Sequence, residues 1–255
     1  MKKRIISLVA IALMFSSCET LDNLTSQLFQ TESAEKTSDT EPIKVKQPRY
    51  TKDKVDTAIW DLSVLDTARN VDYMFEAEKN VVLEMNMARS NPKKYAEMYI
   101  EPRTKRFSGN IYNGNLMTNE GVAVVNECIK FMSSQKSLPI LKPSKGLTQA
   151  AKDHSTTQSL TDRTGHDGTD GSDPFERINR YGTFSTAGEN IDYGATSARE
   201  IVVSLLIDDG VKSRGHRKNI MNKSFLTVGV GYADKHKKYG AECVIDYAGT
   251  YQEKN

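Results

Sequence analysis

The chain has 255 residues, which is enough for one domain of ordinary size with additional terminal segments. Its 35 Lys and Arg residues nearly balance its 33 Asp and Glu residues, which leaves a formal net charge of +2. No stripe of basic and aromatic residues accompanies this charge, so the composition argues against a nucleic-acid partner.

The N-terminus has the pattern of a secretory processing signal. Cationic residues at positions 2–4 precede an apolar run from Ile5 to Phe15, which is shorter than the roughly 20 residues of a membrane-spanning helix. Ser17 and Cys18 follow, and a small residue before a cysteine resembles the lipobox of bacterial lipoproteins. We therefore predict a lipoprotein signal peptide over residues 1–17, with Cys18 as the lipidated membrane anchor. The alternative is an ordinary signal peptide cleaved near Ser17.

Residues 18–59 are predicted to form a disordered tether. The stretch 19–41 is rich in acidic residues, Ser and Thr, and it has too few large apolar side chains to offset its chain entropy. Residues 42–54 are basic, which is typical of a solvated linker or of a contact with an anionic surface. The folded domain is therefore expected over residues 60–252.

The domain begins with helical patterns and ends with strand patterns. Apolar spacing and capping residues predict helices over 72–90, 92–99, 120–132, 144–160, 174–178 and 197–207. Strands are predicted over 187–193, 225–232 and 241–247, and Gly-rich loops over 107–117 and 165–173. Helices early and strands late favour an α+β domain whose helices cover an antiparallel sheet.

Two of the histidines and both remaining cysteines have structural interpretations. His154 lies on the apolar face of a predicted helix and is interpreted as buried, whereas His236 lies in a charged turn and is expected to be solvated. Cys128 and Cys243 can pair in an exported protein. Cys128 also falls on a helical apolar stripe, which is typical of buried packing, so both outcomes stay open.

The other two histidines are the candidate functional residues. His166 and His216 are each preceded by a glycine, where the backbone can approach a ligand closely, and Glu189 follows a glycine between them in the chain. Histidine with a carboxylate is typical of a metal site or an acid–base cleft. If these loops meet, His166 and His216 would bind one divalent cation such as zinc, with Glu189 and an aspartate nearby. Without metal, the same residues could shuttle protons.

Three motifs together resemble the CAP superfamily of cysteine-rich secretory, antigen 5 and pathogenesis-related-1 proteins, which has many bacterial SCP-like members. They are AGENI at residues 187–191, RGHRKNI at residues 214–220 and VGVGY at residues 228–232. The resemblance extends over about residues 71–249. It implies a three-layer α-β-α sandwich around a central, mostly antiparallel sheet with a central cleft.

The resemblance also implies a set of cleft residues. The family has a His–Glu–Glu/Asp–His tetrad, whose outer members correspond to His166 and His216 and whose first carboxylate corresponds to Glu189. Counting back from the Gly-His turn places the remaining carboxylate at Asp208, which departs from glutamate. Helical phase instead favours Asp209, but we prefer Asp208 as the cleft residue because the helix need not continue that far.

These features predict an exported, lipid-anchored CAP-domain protein of the bacterial cell envelope, at the outer membrane or cell surface and monomeric. We expect its cleft to bind a divalent metal or a small peptide-like or lipid-like ligand. No Ser or Cys nucleophile motif accompanies His166 or His216, which favours binding over catalysis. One alternative is a metal-assisted, peptidase-like hydrolase with His216 as base, oriented by Glu189. Another is an envelope structural or interaction protein.

Overall fold

The computed structural model describes residues 46–254. The predicted signal peptide, Cys18 and the first part of the predicted tether lie outside these residues. None of the helices within the described range is both long and apolar enough to span a bilayer.

The described range contains helices through most of its length and strands concentrated towards its end. The α-helices are α1 (Leu62–Leu65), α2 (Glu76–Ser90), α3 (Pro92–Tyr95), α4 (Val122–Ser134), α5 (Lys145–Thr161), α6 (Pro174–Tyr181), α7 (Ala198–Ile207) and α8 (Gly215–Ile220). A π-helical turn (Ala96–Ile100) and a 3-10 helix (Glu101–Arg106) follow α3. The strands are β1 (Phe107–Ser108), β2 (Ile111–Tyr112), β3 (Leu116–Met117), β4 (Lys142–Pro143), β5 (Gly182–Phe184), β6 (Ala187–Tyr193), β7 (Thr227–His236), β8 (Gly240–Ala248) and β9 (Tyr251–Glu253).

The main sheet has the strand order β4-β7-β8-β6. Strand β4 runs parallel to β7, and the other neighbouring strands are antiparallel. Strand β6 comes last in the order and is therefore an edge strand. Strands β1–β3 form a small antiparallel meander where a loop was predicted, and β5 pairs with β9. The predicted α+β class and its mostly antiparallel sheet are confirmed.

Helix α5 covers one face of the main sheet, and two glycines of β7 allow its close approach. A Cβ atom at Gly229 would overlap the backbone of Leu147, and one at Gly231 would overlap the backbone of Ala151. Any side chain at either glycine would therefore push the helix away from the sheet.

The opposite face of the sheet carries the largest hydrophobic core. Val228, Val230 and Tyr232 alternate with the β7 glycines and pack with buried side chains of α2, α4 and α7. The sheet thus lies between two helical layers. This arrangement buries both of its faces.

Helix α5 begins where its capping residue predicts, whereas α2 begins later than predicted. The Ser144 side chain accepts a hydrogen bond from the first turn of α5. Helix α2 was predicted from residue 72 but starts at Glu76. The Glu78 side chain accepts the backbone N–H of Phe75, the N-cap residue, and so satisfies one free donor at the start of the helix.

The segment 46–59, predicted as the end of the tether, packs against the domain. Thr51 forms a β-bridge with Ser197, and Asp53 accepts the backbone N–H of Arg199. The Arg199 guanidinium also donates to the carbonyl oxygen of Lys54. The basic composition of this segment did not predict these contacts, because hydrogen bonds to the start of a distant helix leave no local sequence pattern.

His236 is buried, so the prediction that it is solvated is wrong. It is 1% exposed, and its Nε2 lies 3.1 Å from the carbonyl oxygen of Arg163. Nδ1 accepts the backbone N–H groups of Lys238 and Tyr239, so both ring nitrogens have partners and burial costs little. The predicted burial of His154 is confirmed, since that residue is also 1% exposed.

Cys128 and Cys243 are both buried and free. The thiol of Cys128 lies 3.2 Å from the carbonyl oxygen of Leu206, in the core between α4 and α7. Of the two outcomes left open by the sequence, the structure shows packing and not pairing.

Candidate functional site

His166 and Glu189 form the first of two histidine–carboxylate pairs. Nδ1 of His166 donates to Oε1 of Glu189 over 2.7 Å, and Arg177 donates to Oε2 over the same distance. The Glu189 side chain is 1% exposed, whereas that of His166 is 50% exposed. The hydrogen bond to the carboxylate raises the pKa of His166 above its ordinary value. The pair therefore presents a proton-binding imidazole that is held by a buried carboxylate.

Two further acidic residues lie buried on the same face of the sheet as Glu189. Asp246 is directly opposite Glu189 in the β6–β8 ladder, and Glu242 lies four residues earlier on β8. Neither carboxyl group has a hydrogen-bond partner among the described residues. Burial, with Glu189 as a second cause, raises the pKa of Glu242 to about 8 and holds the pKa of Asp246 well above its usual range. Glu242 is therefore mainly neutral at pH 7, and Glu189 is held by the Arg177 guanidinium.

Asp208 and His216 form the second pair. Oδ1 of Asp208 is 2.7 Å from Nδ1 of His216, and Oδ2 accepts the backbone N–H of His216 over 3.0 Å. Asp208 follows the last residue of α7 in the left-handed conformation, at φ 60°, which aspartate adopts more readily than most residues. Asp209 also lines the cleft described below, but its carboxylate accepts the backbone N–H groups of Asn119 and Glu120 and does not bind His216.

The pairing corrects one sequence-based assignment. The hydrolase hypothesis used Glu189 to orient His216. In the structure Glu189 binds His166, and Asp208 orients His216, so that assignment is wrong. Both are acidic residues between His166 and His216 in the chain, and only their three-dimensional positions distinguish their partners.

Asparagine side chains join the two motifs. The Asn190 amide donates to the carbonyl oxygen of His216 over 3.1 Å. The Asn219 amide donates to Oδ1 of Asn190 over 2.9 Å and to the carbonyl oxygen of Glu189 over 3.2 Å. These bonds hold the His216 turn against β6, so Asn190 has an architectural role.

A cleft of about 720 Å³ lies along the edge strand β6. His216 and Asp208 line this cleft, whereas the lining does not include His166 or Glu189. Adjacent β6 residues that point to opposite faces of the sheet, Ile191 and Asp192, both line it. The cleft therefore follows the edge of the strand and does not lie over one face.

The described residues do not supply the ligands of a typical zinc site. Residues 46–254 contain no group of three or more His, Cys, Asp and Glu residues arranged to hold a metal ion. The ring nitrogens facing Glu189 and Asp208 are occupied, so His166 and His216 could offer one nitrogen each. Two imidazoles are fewer than the three protein ligands of a catalytic zinc site. The arrangement therefore does not fit such a centre, and we derive no chemistry from one.

Sequence reasoning missed three residues that shape the site. Arg177 binds Glu189, Asp192 lines the cleft, and Asp246 lies opposite Glu189 on β8. A signal was present for the two aspartates, because each directly follows an isoleucine within a predicted strand, where a charged residue is rarely buried without a partner. Arg177 had no such signal, since its short helix is mostly polar.

Comparison with known proteins identifies a family for this arrangement. Residues 84–247 match the model of the cysteine-rich secretory protein family, CAP. A 62-residue segment is 40% identical to the uncharacterized protein YkwD of Bacillus subtilis (strain 168). That segment covers 24% of this chain and 22% of YkwD, so the match spans less than a quarter of either protein.

Two solved structures show similarity at low sequence identity. An extracellular protein containing a SCP domain from Bacillus anthracis is 22% identical, with a TM-score of 0.38, over 58% of this chain and 49% of that one. An outer surface protein of Borrelia burgdorferi is 16% identical, with a TM-score of 0.38, over 63% of this chain and 93% of that one.

Proposed function

The chain belongs to the cysteine-rich secretory protein (CAP) family, and we propose that its cleft binds a small lipid-like, amphipathic ligand. One observation carries this proposal. The cleft along β6 has a predominantly apolar wall from the meander and α4, and polar groups including His216 and Asp208 elsewhere in its lining. A concave site with a large apolar surface and few polar groups is the usual form of a small-molecule site.

Two residues of the apolar wall are exposed beyond what folding requires. The wall consists of Phe107, Tyr112, Leu116, Met117, Val124 and Val125. Leu116 and Met117 are 58% and 69% exposed, although both are large apolar side chains. Exposed apolar residues that adjoin a cleft favour a ligand that covers them.

The described cysteines are unsuited to nucleophilic chemistry, which counts against thiol-based catalysis. Burial raises the pKa of the Cys128 thiol to about 12 and holds that of Cys243 well above its ordinary value. Neither cysteine lines the cleft. Both thiols therefore stay protonated at neutral pH, and a protonated thiol is a poor nucleophile.

The test uses the full chain carrying Cys18→Ser, a substitution that prevents lipidation. Binding of dodecanol to this protein is measured by calorimetry, at dodecanol concentrations below its solubility limit. Leu116→Ser should weaken binding about fivefold, because a partly buried leucine contributes about 1 kcal/mol. Leu160→Ser is the matched control, since Leu160 is 70% exposed on α5 and does not line the cleft. Absence of binding, or equal loss in both variants, would overturn the proposal. Ester turnover abolished by His216→Ala would instead favour the hydrolase.

We also propose that the protein is exported and anchored through Cys18. The cationic segment, the apolar run and the cysteine at the N-terminus support this proposal. Expression in a bacterium grown with labelled palmitate should label the chain, and Cys18→Ser should remove the label. A chain that stays unlabelled, or a label that survives the substitution, would contradict anchoring at Cys18.

A further inference from the structure

The charged groups that line the cleft differ in how fully they are neutralised. Arg103 is 2.6 Å from Glu200, so these two groups pair with each other. Asp208 is occupied by His216, as described above. Asp209 accepts N–H groups of the loop before α4. Each of these charges therefore already has a partner within the protein.

Asp192 is the cleft carboxylate without a cationic partner among the described residues. It is 6% exposed, and its Oδ1 accepts the backbone N–H of Ala195 over a long 3.3 Å. The Ser204 hydroxyl, another neutral group of the cleft lining, lowers the pKa of Asp192. His216, whose ring is already bound to Asp208, acts on Asp192 only through space and lowers its pKa. A buried carboxylate whose hydrogen bonds come from neutral donors remains poorly compensated for its lost hydration.

We propose that the cleft selects amphiphiles that carry a protonated amine, with Asp192 as the counter-ion of the amine and the meander as the surface for the alkyl chain. This inference rests on the proposed ligand-binding function. An ammonium group offers three N–H donors and a positive charge, and it would therefore supply the cationic partner that Asp192 lacks among the described residues. A ligand carboxylate would find Arg103 already paired with Glu200 and would be repelled by Asp192.

The protonation state of Asp192 agrees with this role. Burial raises its pKa to about 6, and hydrogen bonds from Ser204 and Ala195 oppose the rise. At pH 7.5 the carboxylate is therefore ionised while its burial remains costly. A bound cation would offset that cost, which makes Asp192 a strong contributor to selectivity.

The experiment compares three probes with the same alkyl chain: dodecylamine, dodecanol and dodecanoate. Each is titrated calorimetrically at pH 7.5, below its micelle concentration, into the full chain carrying Cys18→Ser. We expect dodecylamine to bind about tenfold more tightly than dodecanol, a difference of about 1.4 kcal/mol, because a charge-assisted hydrogen bond is stronger than a neutral one. Dodecanoate should bind most weakly.

Variants locate the selectivity. Asp192→Asn should remove the preference for the amine, so that dodecylamine and dodecanol bind with equal affinity. Glu97→Gln is the matched control, because it removes an exposed carboxylate outside the cleft. The comparison among probes on the unsubstituted cleft stays decisive even if Asp192→Asn fails to fold.

The outcomes separate this inference from the proposed function. Equal binding of the three probes, or a preference for dodecanoate, overturns the amine selectivity and leaves ligand binding intact. A preference for the amine that survives Asp192→Asn in folded protein overturns the role of Asp192. If none of the probes binds, both the inference and the proposed function fail.

Discussion

Asp208 binds His216 through both of its carboxylate oxygens, one to the ring and the other to the backbone N–H. Asp208 also ends α7, where its backbone adopts the left-handed conformation. One residue therefore stops a helix, starts the next turn and orients a cleft imidazole. This concentration of roles makes Asp208 a sharp test of how the site is built.

Substitution of Asp208 should separate its backbone role from its charge. Asp208→Ala should lower the free energy of unfolding by about 3 kcal/mol, because hydrogen bonds are lost and alanine is strained at positive φ. Asp208→Asn should cost about 1 kcal/mol, since asparagine tolerates the conformation and keeps one acceptor oxygen. Urea unfolding of both variants measures the difference. Equal losses in the two variants would show that neither strain at positive φ nor the retained acceptor oxygen matters at this position.

The His166–Glu189 pair should be visible in the titration of the imidazole. Its hydrogen bond raises the pKa of His166, so Glu189→Gln should lower that pKa in an NMR titration of the ring. The stability from this pair is fully present below the unfolded pKa of about 6.5, and it is lost as pH rises through the raised folded pKa. Glu97→Gln should leave the titration unchanged. An unaltered pKa in Glu189→Gln would show that the bond does not control the proton.

Glu242 should make the protein less stable as pH rises. Its pKa is about 8 when folded and about 4.3 when unfolded, so the folded state holds the additional proton between these values. Stability is therefore fully present below about pH 4 and is lost as pH rises towards about 8. Glu242→Gln should gain at least about 1 kcal/mol relative to the parent protein between pH 5 and pH 8. Parallel pH profiles in urea unfolding would contradict the raised pKa.

The close contact between α5 and the sheet should depend on Gly229. Gly229→Ala should lower the free energy of unfolding by about 3 kcal/mol or more, because the new methyl group would overlap the backbone of Leu147. Gly215→Ala is the matched control, since its Cβ would meet Ser213 Oγ at an ordinary 3.5 Å. Thermal unfolding compares the two variants. Similar losses would mean that the β7 glycine is not needed for helix approach.

Local features were predicted well wherever a residue acts on its own neighbours. Ser144 caps the helix that follows it, and the alternation of Val228 and Val230 with glycine marks a strand. The predictions that failed involve distant contacts. His236 was expected in solvent because its neighbours are charged, yet the carbonyl oxygen of Arg163 and two backbone N–H groups satisfy its ring.

The sequence by itself determined the α+β class, the family and the motifs that contain both histidines, because capping, periodicity and motif spacing act over a few residues. Only the tertiary structure decided that Asp208 and not Asp209 meets His216, that Glu189 meets His166, and that Asp192 enters the cleft. Those outcomes depend on the angle at which helices end against an edge strand. A rotation of one residue exchanges the partners while leaving the local pattern unchanged.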